Sequence, residues 1–280
     1  MSDRPFGLLA GSGQLPEIVV EKLQEQNRSV VACHLTPSPS RKLRESVDSD
    51  KVFPPEKFGE IPEFLSDRDV RELVMVGSVD RSLLFEDDRM ENADEVVSGR
   101  VDNQSSNQDE SLLEAAVEVL ETYGITVRGV DTILDDLLTP VGHLGGPSLR
   151  PEDEKTLQCL ADIGPFLSDR EVGQSILGKR QSVVAVEAAE GTNETIRRAG
   201  QLAGSGTVML KSARTDQDFR LDVPVVGRET IDNLAAIEAN LLAVEARKTL
   251  WIEREACREV AGEADITLYG WQRPGRSDGA

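Results

Sequence analysis

The chain has 280 residues, which suggests two domains of ordinary size and a sizeable buried core. Its hydrophobic share of 39% and charged share of 29% are typical of a globular protein, and no apolar stretch approaches the roughly 18 residues of a membrane span. The net charge of −20 argues against a nucleic-acid partner, because phosphate backbones are bound by basic surfaces, and against adsorption to an anionic membrane by charge alone.

Predicted strands and helices alternate through the first half of the chain. Strands are predicted over 6–10, 30–35, 72–76 and 125–130, and helices over 16–26, 61–66 and 110–122. This alternation predicts a Rossmann-like parallel sheet, in which ligands bind at the carboxyl ends of the strands. The loops of interest are Gly11–Gly13, Gly77–Arg81 and Gly129–Asp131. The polar segment 86–108 is predicted to be a long loop or lid.

A second α/β domain is predicted after Gly142–Pro147, which is rich in Gly and Pro and is interpreted as a linker. We therefore divide the chain into domains at 1–141 and 142–280. In the second domain, helices are predicted over 151–167, 193–202, 229–244 and 254–260, and extended segments over 182–188, 207–210, 221–226, 250–252 and 266–269. The tail after Trp271 is predicted to be disordered.

Cysteine and histidine offer little catalytic chemistry in this chain. Cys33, Cys159 and Cys257 have no C-x-x-C spacing, so neither a disulfide framework nor a zinc site is predicted, and each is expected to be a small buried side chain. His34 and His143 are isolated in sequence, so acid–base chemistry is left to carboxylates. The apolar run 6–10 is too short for a secretory signal, which favours a cytoplasmic location.

The turn Gly11-Ser12-Gly13 follows a strand and precedes a helix, so its amides and the helix N-terminus could bind a phosphate. It is an incomplete dinucleotide fingerprint, because Pro16 stands where a third glycine belongs and no acidic residue ends the second strand. An NAD-dependent oxidoreductase is therefore disfavoured. The structural alternative is a tight turn that needs glycine.

Glu190, Gly191 and Thr192 connect a predicted strand to a predicted helix. Thr192 is expected to cap the helix, and this role alone would explain its presence. Glu190 is predicted to lie at the carboxyl end of the strand, where it could bind a metal or a ribose hydroxyl.

The densest polar cluster comprises Lys211, Gln217, Asp218, Arg220 and Asp222. Lys211 ends a strand, and Arg220 and Asp222 alternate on one face of the next predicted extended segment. The two cations could neutralise a pyrophosphate, and Asp222 could hold a divalent cation or orient water. The alternative interpretation is an ion pair at a solvated strand edge.

Four segments of the chain resemble one known family. They are 6–16, 172–175, 185–192 and 211–230, the last containing Arg220-Leu221-Asp222-Val223-Pro224. In order and nearly throughout, they are similar to the LpxI-type UDP-2,3-diacylglucosamine pyrophosphatases of lipid A synthesis, which are unrelated to metallophosphoesterases.

The resemblance implies a Mg²⁺-dependent hydrolase with two α/β domains that cleaves UDP-2,3-diacylglucosamine to UMP and 2,3-diacylglucosamine 1-phosphate, with water attacking the sugar-side phosphorus. It implies a homodimer and makes Asp222 the essential aspartate, as metal ligand or water-activating group. We expect substrate binding by residues of the glycine loops and of the second domain, namely Gly11, Ser12, Gly13, Gly77, Ser78, Glu190, Gly191, Thr192, Lys211, Gln217 and Arg220. An amphipathic substrate would also allow peripheral contact with the inner membrane.

Three departures from the family pattern affect these expectations. Asn193 replaces a frequent Asp, Asp109-Glu110 lacks a preceding glycine, and 86–107 is polar where the family is usually apolar. The last departure bears on acyl-chain contacts, because a lipid groove is lined by apolar side chains. A non-catalytic protein that binds or senses a nucleotide-sugar is the alternative function.

The acidic composition has two interpretations. Positive charge is carried mostly by Arg, and a Lys-poor acidic surface would suit high intracellular salt, where self-repulsion is screened. An ordinary acidic cytosolic protein is the other interpretation. In either case an anionic substrate requires a local basic cluster or a metal.

Overall fold

The computed structural model of the chain describes residues 4–78 and 108–274, with the side chains of residues 55, 56 and 108–112 left out. The described residues form two units. Unit 1 contains the residues up to Asp135 together with Asp218–Asp222, and unit 2 contains Asp136–Gln217 and the residues from Val223 onward. The chain therefore returns from the second unit to the first for five residues. The domain limits 1–141 and 142–280 stay a prediction.

A five-stranded parallel sheet is the centre of unit 1, in the order β3-β2-β1-β4-β5. Every residue of β1 and β2 is buried, as expected for strands covered on both faces. The strands are β1 Phe6–Ala10, β2 Val30–His34, β3 Ser49–Val52, β4 Glu72–Val76 and β5 Thr126–Arg128. The helices are α1 Leu15–Glu25, α2 Arg41–Ser46, α3 Ile61–Ser66 and α4 Gln108–Thr122. The predicted parallel sheet is confirmed.

The winding direction of this sheet reverses between β1 and β4. From β1 the chain runs outward to β2 and β3, and then crosses back to place β4 on the other side of β1. Parallel sheets open a crevice at such a reversal, outside the carboxyl ends of the two strands. The loops that leave β1 and β4 are those that contain Gly11–Gly13 and Gly77–Ser78.

Unit 2 contains a six-stranded mixed sheet in the order β6-β13-β11-β9-β7-β8 and a two-stranded ribbon, β10-β12. The strands are β6 Gly142–Gly145, β7 Ser175–Lys179, β8 Ser182–Val186, β9 Val208–Lys211, β10 Val225–Val226, β11 Leu241–Glu245, β12 Leu250–Trp251 and β13 Thr267–Trp271. The helices are α5 Pro151–Ala161, α6 Gly164–Asp169, α7 Gly191–Ala203, α8 Arg228–Ala236 and α9 Arg254–Glu263. The predicted second α/β domain is confirmed.

Two predictions about unit 2 elements are wrong. Gly142–Pro147 is no linker, because its first four residues form β6, an edge strand antiparallel to β13. The helix predicted over 229–244 ends at Ala236, and Leu241–Glu245 is a fully buried strand between β9 and β13. A short apolar run fits a buried strand as well as a helix, and here Glu238, with a φ of +52°, ends the helical path first.

The predicted extended segment over 221–226 is also wrong in its first half. Asp218–Leu221 is a turn, and regular pairing begins only at β10. The Asp218 carboxylate accepts the Arg220 amide at 2.9 Å, and the Asp222 amide donates to the Asp218 carbonyl at 3.2 Å. An aspartate that binds the amide two residues later stabilises a turn against a strand. Arg220 and Asp222 therefore do not alternate on a strand face.

Two of the three cysteines are buried as the sequence predicts. Cys33 and Cys257 are buried, whereas Cys159 is partly exposed and donates to the Gln181 carbonyl. The tail after Trp271 is predicted to be disordered, and this is wrong for the residues that directly follow Trp271, because Arg273 is bound to Glu245. Within the described ranges, no helix combines the length and apolar character that a membrane crossing needs. The segment 86–107 lies outside the described residues, as do the side chains of Asp109 and Glu110.

Candidate functional site

In unit 1, the loop after β1 is bound directly to the loop after β4. The Ser12 amide donates to the Ser78 carbonyl at 2.7 Å, and the Ser78 amide donates to the Ser12 carbonyl at 2.9 Å. This approach excludes side chains at the adjoining glycines. A Cβ on Gly11 would lie 2.6 Å from the Ser78 oxygen, and one on Gly77 would lie 2.7 Å from the Ser12 oxygen. The structure thus joins the two predicted loops at the reversal of the sheet.

The paired loops leave fewer phosphate-binding amides than the sequence suggested. The Gly11 amide donates to the Val76 carbonyl at 2.8 Å, and the amides of Ser12 and Ser78 are used in their mutual bridge. Gly13, with a φ of +103°, turns the chain into α1. At the start of α1, Pro16 has no N–H and the Glu17 amide donates to the Gln14 carbonyl at 3.1 Å. Among the first three residues of the helix, the Leu15 amide is therefore the one left to receive an anion.

The segment Asp218–Asp222 belongs to unit 1 and contacts it just beyond the carboxyl end of β5. The Val130 amide donates to the Phe219 carbonyl at 3.0 Å, and Leu221 packs against the hydrophobic core of this unit. A Cβ on Gly129 would lie 3.2 Å from the Phe219 Cβ, so glycine allows this approach. The segment therefore lies at the same edge of the sheet as the two glycine loops.

Within this segment Arg220 is bound by acidic neighbours. Its guanidinium donates to Asp218 from Nε and Nη2 at 3.0 and 2.7 Å, and Nη1 lies 3.6 Å from Glu121. These carboxylates, Asp218 first, raise the pKa of Arg220 above its ordinary value. Asp222 is exposed two residues later. The cation that the sequence paired with Asp222 is thus held chiefly by Asp218.

A polar cluster in unit 2 brings together three strand ends and one helix start. We call Ser175, Glu187, Thr192 and Lys211 the Thr192 cluster. Ser175 and Lys211 are partners across β7 and β9, and the Glu187 amide donates to the Ser175 carbonyl at 2.8 Å. Thr192 stands in the first turn of α7. The arrangement explains why side chains far apart in sequence meet at this edge.

The Thr192 hydroxyl is the centre of this cluster. It donates to Glu187 Oε1 at 2.9 Å and accepts from Lys211 Nζ at 3.3 Å, while Ser175 Oγ lies 3.4 Å away. Lys211 is only 7% exposed, which is unusual for an ammonium group. The predicted capping role of Thr192 is wrong, because α7 begins at Gly191 and Thr192 is a helical residue bound to Glu187 instead.

Glu190 and Gln217 have other partners. Glu190 is exposed, forms an ion pair with Arg198 and accepts the Ala188 amide. Its own backbone amide first, and then Arg198, lower the pKa of this carboxyl below its ordinary value. Gln217 is buried, and its Oε1 accepts the Arg214 amide at 3.3 Å. A substrate-binding role for these two residues stays a prediction.

The sequence analysis places Glu190, and not Glu187, at the end of the strand. In the structure Glu187 is the acidic residue that directly follows β8. No partner was predicted for Asn193. The Asn193 side chain donates to Glu229 at 2.8 Å and accepts from Asn233 at 3.1 Å, so it joins α7 to α8. An aspartate there would face Glu229 with a like charge, which accounts for an uncharged residue in this chain.

Metal-binding geometry is limited among the described side chains, where no three His, Cys, Asp or Glu residues come together as a metal-binding group. Both Asp218 oxygens are used by Arg220. Asp222 is the exposed carboxylate of the same turn.

Comparison with known proteins covers both units. Residues 5–137 match the family model of the LpxI N-terminal domain, and residues 140–269 match that of the LpxI C-terminal domain. The chain belongs to the LpxI family. The LpxI resemblance expected from the sequence motifs is therefore confirmed.

A relative from Caulobacter vibrioides, the UDP-2,3-diacylglucosamine pyrophosphatase LpxI, is 26% identical over 95% of this chain and 97% of its own length. Two solved structures are far less similar to this chain than the LpxI relative is. A GalE-like L-threonine dehydrogenase from Cupriavidus necator is 10% identical over 52% of this chain and 42% of its own, with a TM-score of 0.29. The ADP complex of N5-carboxyaminoimidazole ribonucleotide synthetase is 13% identical over 71% and 45%, also with a TM-score of 0.29. Scores this low carry no inference.

Proposed function

We propose that this chain hydrolyses UDP-2,3-diacylglucosamine to UMP and 2,3-diacylglucosamine 1-phosphate in lipid A biosynthesis. The observation that carries the proposal is the match of both LpxI domain models along nearly the whole chain. A relative named for this pyrophosphatase activity, aligned over 95% of the chain, supports it. A physical argument also supports it, because the segment Asp218–Asp222 contacts unit 1 just beyond the carboxyl end of β5, and parallel sheets commonly bind ligands at that edge.

The nucleotide half of the substrate is assigned to the crevice between β1 and β4. The bridge between Ser12 and Ser78 fixes the two loops at its floor, and the Leu15 amide at the start of α1 would donate to a phosphate. Gly11 and Gly77 allow the two loops to approach this closely. Because the amides of Ser12 and Ser78 are already bonded, these residues would contact substrate through their exposed side chains.

Cationic side chains must offset the repulsion between a pyrophosphate and a chain of net charge −20. In unit 2 the buried Lys211 ammonium is held by Thr192. In unit 1 the Arg220 guanidinium donates two hydrogen bonds to Asp218, and these fix its plane. Positioned cations stabilise the charge that develops during phosphoanhydride cleavage without reorganising at the moment of reaction.

Asp222 is the proposed catalytic carboxylate. Mg²⁺ is commonly bound by one or two carboxylates together with substrate phosphates, and an exposed Asp222 fits that mode better than an all-protein cage. When bound, Mg²⁺ would supply charge neutralisation on the phosphate oxygens. Asp222 would either hold this ion or accept a proton from the attacking water, and both roles require an ionised, accessible carboxylate.

The remaining parts of the proposal concern partners and location. We propose a homodimer in the cytoplasm, with peripheral contact at the inner membrane where its acylated substrate resides. The amphipathic character of that substrate supports the membrane contact.

Release of UMP from UDP-2,3-diacylglucosamine, followed with and without Mg²⁺, tests the proposed function. We expect equimolar UMP and sugar 1-phosphate with Mg²⁺ and loss of turnover in a metal chelator, restored by added Mg²⁺. Tight UMP binding without turnover would instead indicate a nucleotide-sugar sensor. Turnover that is unchanged in the chelator would contradict the proposed dependence on Mg²⁺.

A further inference from the structure

Glu187 is the carboxylate of the Thr192 cluster, and it has no place in the proposed chemistry so far. It follows β8 directly and is half-buried. One of its oxygens accepts the Thr192 hydroxyl at 2.9 Å. Its other oxygen, Oε2, is fully buried and has no hydrogen-bond partner in the described structure. A buried acceptor without a partner is costly and needs a reason for its retention.

The hydrogen bonds of the Thr192 hydroxyl determine which groups of the cluster donate and which accept. A threonine hydroxyl has one proton and two lone pairs. Because the proton is given to Glu187, both lone pairs face the other two members of the cluster. Lys211 therefore donates to Thr192 at 3.3 Å, and Ser175 must be the donor in its 3.4 Å contact.

Without Glu187 the orientation of the Thr192 hydroxyl would be lost. The Thr192 hydroxyl would be free to rotate and to give its proton to Ser175 or to water, and its lone pairs would no longer be fixed towards Lys211. Lys211 has a long side chain with four rotatable bonds, and its ammonium is a point charge whose placement depends on such contacts. Its 7% exposure shows that it is held within the cluster rather than extended into solvent.

We propose that Glu187 is a positioning residue that acts through Thr192 to fix the Lys211 ammonium for phosphate binding. This inference rests on the proposed function, in which Lys211 binds a substrate phosphate. It assigns a role to Glu187 that is distinct from that of Glu190, whose carboxylate is exposed and pairs with Arg198.

The test is a double-mutant cycle read out by calorimetric binding of UMP, which does not depend on turnover. Glu187→Ala and Thr192→Val should each weaken UMP binding about tenfold, as expected when a hydrogen bond to a charged group loses its orientation. In the Thr192→Val background, Glu187→Ala should have almost no further effect, because residues that act through one contact are not additive.

Conservative variants separate orientation from charge and from folding. Glu187→Gln keeps an acceptor for Thr192, and Thr192→Ser keeps the hydroxyl, so both should stay within about threefold of the wild type. Glu194→Ala, which removes an exposed carboxylate on the same helix, should leave UMP binding unchanged. Melting temperatures identify any variant that fails to fold.

Three outcomes would overturn the proposal. They are additive effects of Glu187→Ala and Thr192→Val, a loss in Glu187→Gln as large as in Glu187→Ala, or unchanged binding in Glu187→Ala while Lys211→Met binds weakly. Unchanged binding in Lys211→Met would instead contradict the phosphate role of Lys211 in the proposed function. The failures of the two proposals are thus distinguishable.

Discussion

Arg273 donates to both oxygens of the buried Glu245 carboxylate, from Nε at 3.0 Å and from Nη2 at 2.9 Å. The same guanidinium binds the Ala213 carbonyl at 2.7 Å and the Thr215 hydroxyl at 2.6 Å, and Glu245 also accepts the Ala213 amide. This pair therefore fixes the loop that leaves β9, five residues before the Asp218–Asp222 segment begins. Arg273 thus holds in place the loop that leads into the proposed catalytic segment Asp218–Asp222.

Replacing Arg273 by Ala should destabilise the protein severely. Glu245 is 3% exposed in its side chain, and a buried ion pair that loses one partner typically costs about 3–5 kcal/mol. Urea unfolding of the variant measures this loss. The control is Arg197→Ala, which removes an exposed pair with Glu194 and should change stability by less than about 1 kcal/mol. Equal stability of the two variants would contradict an anchoring role for Arg273.

Acid should weaken unit 1 through His34. This side chain is fully buried, and desolvation lowers its pKa below 6.5, although Asp50, 3.4 Å away and also bound by Arg44, opposes the shift. The unfolded chain then binds a proton more readily than the folded one, so stability falls as the pH drops through about 6.5. The loss is at most about 1.4 kcal/mol per pH unit.

His34→Gln removes this titration while keeping a neutral polar side chain. Its stability, measured by urea unfolding between pH 7.5 and pH 5, should vary less than that of the wild type. Carboxyls with a lowered pKa, such as Glu17 and Glu72, lose their contribution only below about 4.5 and do not overlap with this range. Parallel pH profiles in the two proteins would rule out His34 as the source.

Arg220→Lys should weaken the binding of UMP and of substrate, even though the charge is kept. Lysine cannot reproduce the two-pronged contact with Asp218, so the cation loses its fixed plane. We expect at least about a tenfold rise in the dissociation constants, as for a lost charge-assisted hydrogen bond. Titration of Arg220→Lys and Arg220→Ala against the wild type provides the measurement. Unchanged affinities would return Arg220 to the role of a surface ion pair.

Salt should stabilise the chain if its acidic surface is an adaptation to high ionic strength. The screening length falls from about 10 Å at 0.1 M salt to about 3 Å at 1 M, which relieves most of the self-repulsion of a net charge of −20. The melting temperature should therefore rise with KCl while substrate affinity falls only modestly. A flat melting temperature with activity abolished at molar KCl would reject the halophilic interpretation and leave the enzyme assignment unaffected.

The fold was predictable where apolar runs are long or bounded by glycine. The strands Phe6–Ala10 and Glu72–Val76 are found at their predicted limits, because each is a buried apolar run followed by a glycine turn. Ser49–Val52 has no such pattern, and as an edge strand it is held by pairing with β2. Leu241–Glu245 was assigned to a helix because five apolar-rich residues do not distinguish a buried strand from a helical face.

The candidate site was predictable in its composition but not in its connections. The loops of Ser12 and Ser78 could be expected to meet, since adjacent parallel strands end at one edge. The return of Asp218–Asp222 to unit 1 depends on contacts with Val130 and the core, which local sequence does not encode. The link from Glu187 to Thr192 likewise requires knowing that β7, β8 and β9 are neighbours.

The most direct test of the account compares UMP release from UDP-2,3-diacylglucosamine by the wild type, Asp222→Asn and Asp162→Asn. Asp222→Asn keeps the shape of the exposed side chain and removes its charge, so turnover should fall at least about a hundredfold, as for a lost base or metal ligand, with the melting temperature preserved. Asp162→Asn, an exposed aspartate at the end of α5, should retain wild-type turnover. Near wild-type UMP release by Asp222→Asn, with an unchanged requirement for Mg²⁺, would contradict the central role of Asp222.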